Sequence, residues 1–263
     1  MARSALLNVM TAAAMKAGRG LSRDFGEVQN LQVSMKGPGD FVSAADRRAE
    51  GVIRAELQRA RPEFGMLLEE SGEVAGSDRQ NRWIVDPLDG TTNFLHGIPI
   101  FAVSIALERE GQIVAGVVYN PAMDELYTAE RGGGAFMNDH RLRVAGRKEM
   151  ADCVVGTGIP HLGKRNHGVF LEQQRRMMLE VAGVRRMGAA ALDLCYVAAG
   201  RLDGFWEAGL SPWDTAAGIL MVREAGGFVS DFDGGNAMFD TGTIVAGNEI
   251  IRKKIHATIS GVS

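Results

Sequence analysis

Leu6, Met10, Ala13 and Ala17 recur every three to four residues and predict an amphipathic helix that ends near Gly18 or Gly20. Asn8 and Thr11 interrupt its apolar run, so the stretch reads as a mature helix rather than a signal peptide. Val28 to Met35 alternates weakly, and Lys36-Gly37-Pro38-Gly39-Asp40 reads as a loop. Ser43 stands three residues before Asp46, ahead of Ala49, Val52, Ile53 and Leu57; this is capping-box spacing at a helix start, with Asp in place of Glu or Gln. Phe64 to Leu68 is an apolar approach to Glu69-Glu70, one of which reads as merely solvated, and Gly72 to Arg82 reads as a polar loop. Trp83-Ile84-Val85 predicts a short buried strand that stops at about Asp86, because Pro87 has no N–H for a ladder. Gly90-Thr91-Thr92 can then open a helix.

Two β-rich runs, Phe101 to Leu107 and Ile113 to Tyr119, flank the hairpin signal Glu110-Gly111-Gln112. Leu126 to Ala129, Ala135 to Met137 and Leu142 to Val144 extend this into an antiparallel meander. Arg131-Gly132-Gly133-Gly134 reads as a hairpin turn, since no Gly-Lys-Ser/Thr follows it as a phosphate loop requires. Beyond Cys153 the pattern alternates: a strand to Val155, a helix near Lys164 to Val181, a strand from Val184 to Met187, a helix from Ala189 to Ala199 and a strand from Gly204 to Trp206. Pro212 suits the first position of a helix that Gly226-Gly227 ends, Phe228 to Ser230 and Ile244 to Ala246 are short strands, and Asn248 caps a last helix carrying Ile251, Ile255 and Ile259. The expected class is α/β (α+β): an antiparallel-sheet half over 1–150 and an α/β half over 151–263, with no long linker or repeat between them.

The 263 residues suffice for an ample core. Lys plus Arg number 29 against Asp plus Glu 32, a formal charge of −3, so no global basic field recruits nucleic acid or an anionic membrane. No run approaches the roughly 20 apolar residues that span a bilayer. Cys153 and Cys195 lack paired spacing and fit core thiols in a reducing cytoplasm.

Candidate chemistry concentrates at residues 81 to 94. Asp86 and Asp89 lie three apart around Pro87, the turn frees the Leu88 carbonyl, and the helix opening at Gly90 presents N–H groups. Such oxygens suit a hard cation and such N–H groups suit a phosphate. Each aspartate alone could equally be a turn or cap residue, and Asp214, just after Pro212, a first-turn acid favoured by the helix dipole. Gathered together, Glu69, Asp86, Asp89 and Asp214 would repel one another and take up protons unless divalent cations compensate them. With no His or Cys at matching spacing, Mg²⁺ or Mn²⁺ is favoured over zinc.

The string Asp-Pro-Leu-Asp-Gly-Thr-Thr-Asn-Phe at 86 to 94 resembles the metal-binding signature of the inositol monophosphatase family of magnesium-dependent, lithium-sensitive phosphatases. Glu69-Glu70-Ser71, Asp40-Phe41-Val42-Ser43-Ala44-Ala45-Asp46 and Trp213-Asp214-Thr215-Ala216-Ala217-Gly218 extend the resemblance in the family's order. It implies a layered α/β/α/β/α sandwich shared with the fructose-1,6-bisphosphatase superfamily. It also implies that Glu69, Asp86 and the Leu88 carbonyl hold one metal, and Asp86, Asp89 and Asp214 a second, with a third ion sharing Glu69. Phosphomonoester hydrolysis by metal-activated water would follow, without a covalent enzyme intermediate. Thr91 and Asp46 would orient that water, and the N–H groups of Gly90 and Thr91 would hold phosphate. Thr92, Arg185, Gly188, Ala190 and Glu207 would complete the substrate side with Asp89 and Asp214; Ala189 stands where many relatives carry Ser or Thr. A homodimer is implied as well. Alternatives within the superfamily are histidinol phosphate, fructose 1,6-bisphosphate and 3′-phosphoadenosine 5′-phosphate. The second half also resembles the bacterial extragenic-suppressor branch, which implies a protein-binding role toward RNA polymerase or antitermination factors.

Overall fold

The computed structural model describes residues 4–27, 33–37, 40–161 and 166–262. Helix α1 (Ala5–Phe25) leads to a hairpin of β1 (Val33–Gly37) and β2 (Asp40–Ser43), then to α2 (Ala44–Ala60) with Asp46 in its first turn. Strands β3 (Phe64–Leu68), β4 (Gly72–Val74) and β5 (Asp78–Asp89) precede the one-turn helix α3 (Thr91–Leu95). A meander follows through β6 (Ala102–Arg109), β7 (Gln112–Asn120), β8 (Glu125–Glu130), β9 (Gly134–Met137) and β10 (His140–Arg141). The remainder comprises β11 (Val154–Thr157), α4 (His167–Met178), β12 (Gly183–Arg185), α5 (Ala190–Ala198), β13 (Gly204–Ala208), α6 (Pro212–Glu224), β14 (Phe228–Ser230), α7 (Met238–Thr241), β15 (Thr243–Gly247) and α8 (Glu249–Ile259).

Strands β3 to β10 form an eight-stranded sheet in the order β10-β9-β8-β7-β6-β5-β3-β4, and the second half forms a five-stranded sheet ordered β12-β11-β13-β15-β14. Helices α1 and α2 cover the outer face of the larger sheet, α5 and α6 lie between the two sheets, and α4 and α8 cover the smaller one. The layering is therefore α/β/α/β/α. The middle core joins Ile84, Val118 and Tyr127 of the larger sheet to Leu194, Cys195, Ala217 and Phe205, so the helices between the sheets are apolar on nearly every side. Such burial stabilises by roughly 25 cal/mol per Å² of apolar surface removed from water.

Several expectations shift. α1 continues past Gly18 and Gly20 because Gly18 is where the helix meets β7: a β-carbon there would sit 2.6 Å from the Tyr119 ring. The stretch read as a loop from Gly72 to Arg82 contains β4, paired antiparallel with β3, and the first part of β5, paired in parallel with β3. β5 also runs through Pro87. Asp86 pairs with Ser104 and Asp89 with Ala102, so Pro87 and Leu88 oppose a single residue in a bulge, where no ladder N–H is required. The Gly37 and Asp40 ends of the Lys36–Asp40 stretch are paired strand ends, whereas 38–39, 28–32 and the helix start expected at Lys164 lie outside the described residues. The strand expected at Leu142 to Val144 is instead the short β10, which begins two residues earlier. At the meander tip, Glu110 and Gly111 both take positive φ, 51° and 74°, as a two-residue hairpin requires. The triple glycine is a turn whose Gly132 and Gly134 N–H groups donate to the Glu224 carboxylate at 2.9 and 2.8 Å.

Candidate metal and phosphate site

β5 delivers the first acids. Its bulge turns Asp86 inward, 2 % exposed, where Oδ1 accepts the Leu88 N–H at 2.9 Å. Asp89 follows at the strand end and Asp214 arrives in the first turn of α6; each of these three offers a carboxylate oxygen within 4.8 Å of the others. Asp46 from α2 forms a second such group with Glu69 and Glu70, at the same spacing. Glu70 thus stands beside the site instead of being merely solvated. Burial, then repulsion from Glu69, Asp89, Asp214 and Asp46, pushes Asp86 well above the usual carboxylate range. Asp89 is raised likewise by burial and then by Asp214, against the Ala191 N–H, which favours the anion.

The local supports are explicit. Asp214 Oδ2 accepts the Ser211 N–H at 2.7 Å, so it caps α6 while facing the other acids, and Pro212 opens that helix as its composition predicts. Asp89 Oδ2 accepts the Ala191 N–H at 2.7 Å, satisfying a first-turn donor of α5 from a strand 102 residues away. Ala189, the N-cap of α5, makes no side-chain cap, and Asp89 supplies the oxygen that a Ser or Thr there would offer. Thr91 Oγ donates to the Leu88 carbonyl at 2.9 Å and lies 3.5 Å from Asp46 Oδ2. Gly90, at φ 89°, must be glycine: a β-carbon would come 2.8 Å from the Ile100 carbonyl.

These acids open on a cleft of about 870 Å³ lined by Glu69, Asp89, Gly90, Thr91, Thr92 and Asp214 on one side and by Gly188, Ala190 and Glu207 on the other. Asn93 ties the two walls together, its Nδ2 donating to the carbonyls of Ile100 and Met187 at 2.8 Å each. Of the arginine pair, Arg186 lines the cleft; Arg185 lies outside that lining, exposed, with Nη1 donating to the Val184 carbonyl. Asp46, Asp86 and Leu88 sit behind the cleft wall.

Glu50 escaped sequence reasoning. It lies one helical turn after Asp46, is 4 % exposed, and accepts the Glu70 N–H at 2.9 Å as well as the Ser71 hydroxyl. It fixes the backbone that carries Glu69 and Glu70. The signal available was the i, i+4 spacing of two acids on one helix face.

All donors are oxygens, and burial together with neighbouring carboxylates raises Asp86 and Asp89, so this donor set fits a hard divalent cation. The model of the inositol monophosphatase family matches residues 2–262. The chain belongs to the inositol monophosphatase family. The inositol-1-monophosphatase of Mesorhizobium japonicum is 73% identical over 255 residues, covering 97% of this chain and 96% of that protein. The Nus factor SuhB of Escherichia coli is 45% identical over 254 residues, covering 97% and 95%. Among solved structures, the extragenic suppressor protein suhB of Bartonella henselae superposes with a TM-score of 0.96 at 65% identity, covering 98% of this chain and 99% of that one. The family match and these neighbours agree with the layered fold, and among the described residues no helix is long and apolar enough to cross a membrane.

Proposed function

We propose that this chain is a Mg²⁺-dependent phosphomonoesterase acting on inositol 1-phosphate and similar polyol phosphates. The observation that carries the reading is the convergence of Asp86, Asp89 and Asp214 within 4.8 Å, with Asp89 and Asp214 on the wall of a cleft and Asp86 behind it. Glu69, Asp86, the Leu88 carbonyl, Asp89 and Asp214 would hold two or three Mg²⁺, with Mn²⁺ as a substitute. Bound there, the cations supply Lewis-acid polarisation of the phosphate ester and neutralise developing charge. Thr91 and Asp46 orient the attacking water: Thr91 Oγ has the Leu88 carbonyl and Asp46 within reach, and the hydroxyl relays a proton toward the buried carboxylate. The N–H groups of Gly90 and Thr91, at a helix start, bind phosphate oxygens. Glu207 accepts a hydroxyl of the leaving polyol, and Gly188 and Ala190 shape its seat, with Arg186 rather than Arg185 nearest to it. Homodimerisation, sensitivity to Li⁺ and a cytoplasmic location belong to the same proposal.

Phosphate release from myo-inositol 1-phosphate, with and without Mg²⁺, tests it. Mg²⁺-dependent turnover is expected, exceeding that on histidinol phosphate, fructose 1,6-bisphosphate and 3′-phosphoadenosine 5′-phosphate. Absent turnover in a folded, metal-loaded sample would refute the substrate assignment. The likeness to the Nus factor SuhB favours a second role, binding of RNA polymerase or antitermination factors. Asp89→Asn should abolish hydrolysis and spare such binding, which a pull-down of the purified partners reads.

A further inference from the structure

Strand β11 carries Gly156 and ends at Thr157, whose hydroxyl donates to the Trp206 carbonyl at 2.9 Å, and Gly158 follows directly. Both glycines lie under acids, and their surroundings differ. A β-carbon at Gly156 would come 2.8 Å from Leu202 Cδ1, 3.1 Å from Asp193 Oδ1 and 3.2 Å from the Phe205 ring, all parts of the packed interior. A β-carbon at Gly158 would fall on the carboxyl group of Glu207, overlapping Cδ and both oxygens, and these are its nearest neighbours. The backbone at Gly158 does not take positive φ, so a side chain there is not excluded by conformation. What a side chain would displace is the mobile end of Glu207.

The backbone of Glu207 is fixed. Trp206 pairs with Thr157 on one side, and Glu207 with Ile244 on the other. The carboxylate lies against the bare Cα of Gly158, within electrostatic reach of Asp89 and Asp193. We infer that Gly158 is a specificity-determining position of this cleft: by lacking a β-carbon it seats the Glu207 carboxylate where a hydroxylated leaving group is recognised. A methyl there re-aims the carboxylate without removing it and without touching the acids that would hold metal. This rests on the reading of Glu207 as an acceptor for a substrate hydroxyl. Gly158 is a positioning residue, acting only through Glu207.

The test is a double-mutant cycle read on two substrates, myo-inositol 1-phosphate and p-nitrophenyl phosphate, whose leaving group offers no hydroxyl to Glu207. Gly158→Ala should raise KM for the inositol ester about tenfold with kcat within about twofold, and leave p-nitrophenyl phosphate within about twofold in both constants. Glu207→Ala should show the same selectivity, and Gly158→Ala added to it should change nothing further. Glu207→Asp, one methylene shorter, should restore folding to Gly158→Ala if the methyl alone impairs it. Equal losses on both substrates, additivity with Glu207→Ala, or a Gly158→Ala protein that Glu207→Asp cannot rescue would each overturn the inference. Should Glu207→Ala itself fail to separate the two substrates, the underlying reading of Glu207 falls, and the inference with it.

Discussion

Two sets of buried acids in this molecule are held in opposite ways. Glu125 on β8 is clamped by fixed partners: Arg201 donates Nη2 to Oε1 at 2.7 Å and Nη1 to Oε2 at 2.9 Å, and the Tyr127 hydroxyl adds a bond of 2.7 Å. Burial alone would raise its pKa, yet Arg201 and Tyr127 bring it below the usual range. Asp231 is likewise lowered against its burial, by N–H groups of Ala237, Gly235, Asp233 and Gly234. Asp86 and Asp89 accept one backbone N–H each, from Leu88 and Ala191, and are raised by burial and by neighbouring carboxylates. Where an acid serves the fold, the chain supplies the compensating charge; at the cleft, compensation is left to something that binds.

The largest test of this contrast lies in the cleft. Asp89→Asn keeps an oxygen for the Ala191 N–H but removes a charge, so Mg²⁺-dependent turnover should fall by at least about 100-fold. Its thermal midpoint in chelator should not drop, because like-charge repulsion is relieved, and calorimetry without metal checks this. Arg201→Met should do the reverse: kcat unchanged, and stability lower by about 1–3 kcal/mol in denaturant titration. That figure is held down because the Arg201 side chain is 39% exposed and solvent screens part of the pair. The smallest effect is on pH. A depressed folded-state pKa means that Glu125 contributes stability above its ordinary value of 4.5, lost as pH falls through the lowered value. Arg201→Met should flatten that acid limb, seen as a shallower fall in the denaturation midpoint between about pH 5 and about pH 3.

The contrast also explains what could be read along the chain. Asp86, Asp89 and Asp214 were legible because a proline, a glycine turn and a helix start mark their positions locally and the strings around them resemble the family's signature, whereas the bulge that carries β5 through Pro87 was not foreseen. The Glu110-Gly111 hairpin was legible for the same reason. Glu50 was not: on the charge-rich α2 it looks like one more solvated acid, and only the arrival of Glu70 and Ser71 in the turn after β3 makes it a support. Gly158 was silent because its role is the absence of an atom beside a residue 49 positions on. The length of β5 and its parallel pairing with β3 depend on partners that no local pattern names.

The bond from Asp89 to the Ala191 N–H has a consequence in time. A chain emerging from the ribosome displays Glu69, Asp86 and Asp89 long before α5 and Asp214 exist, so for that interval it carries a negative cluster with half its surroundings missing. The group formed by Asp86, Asp89 and Asp214 is therefore complete only after the chain has been made past residue 214 and α6 has docked between the sheets.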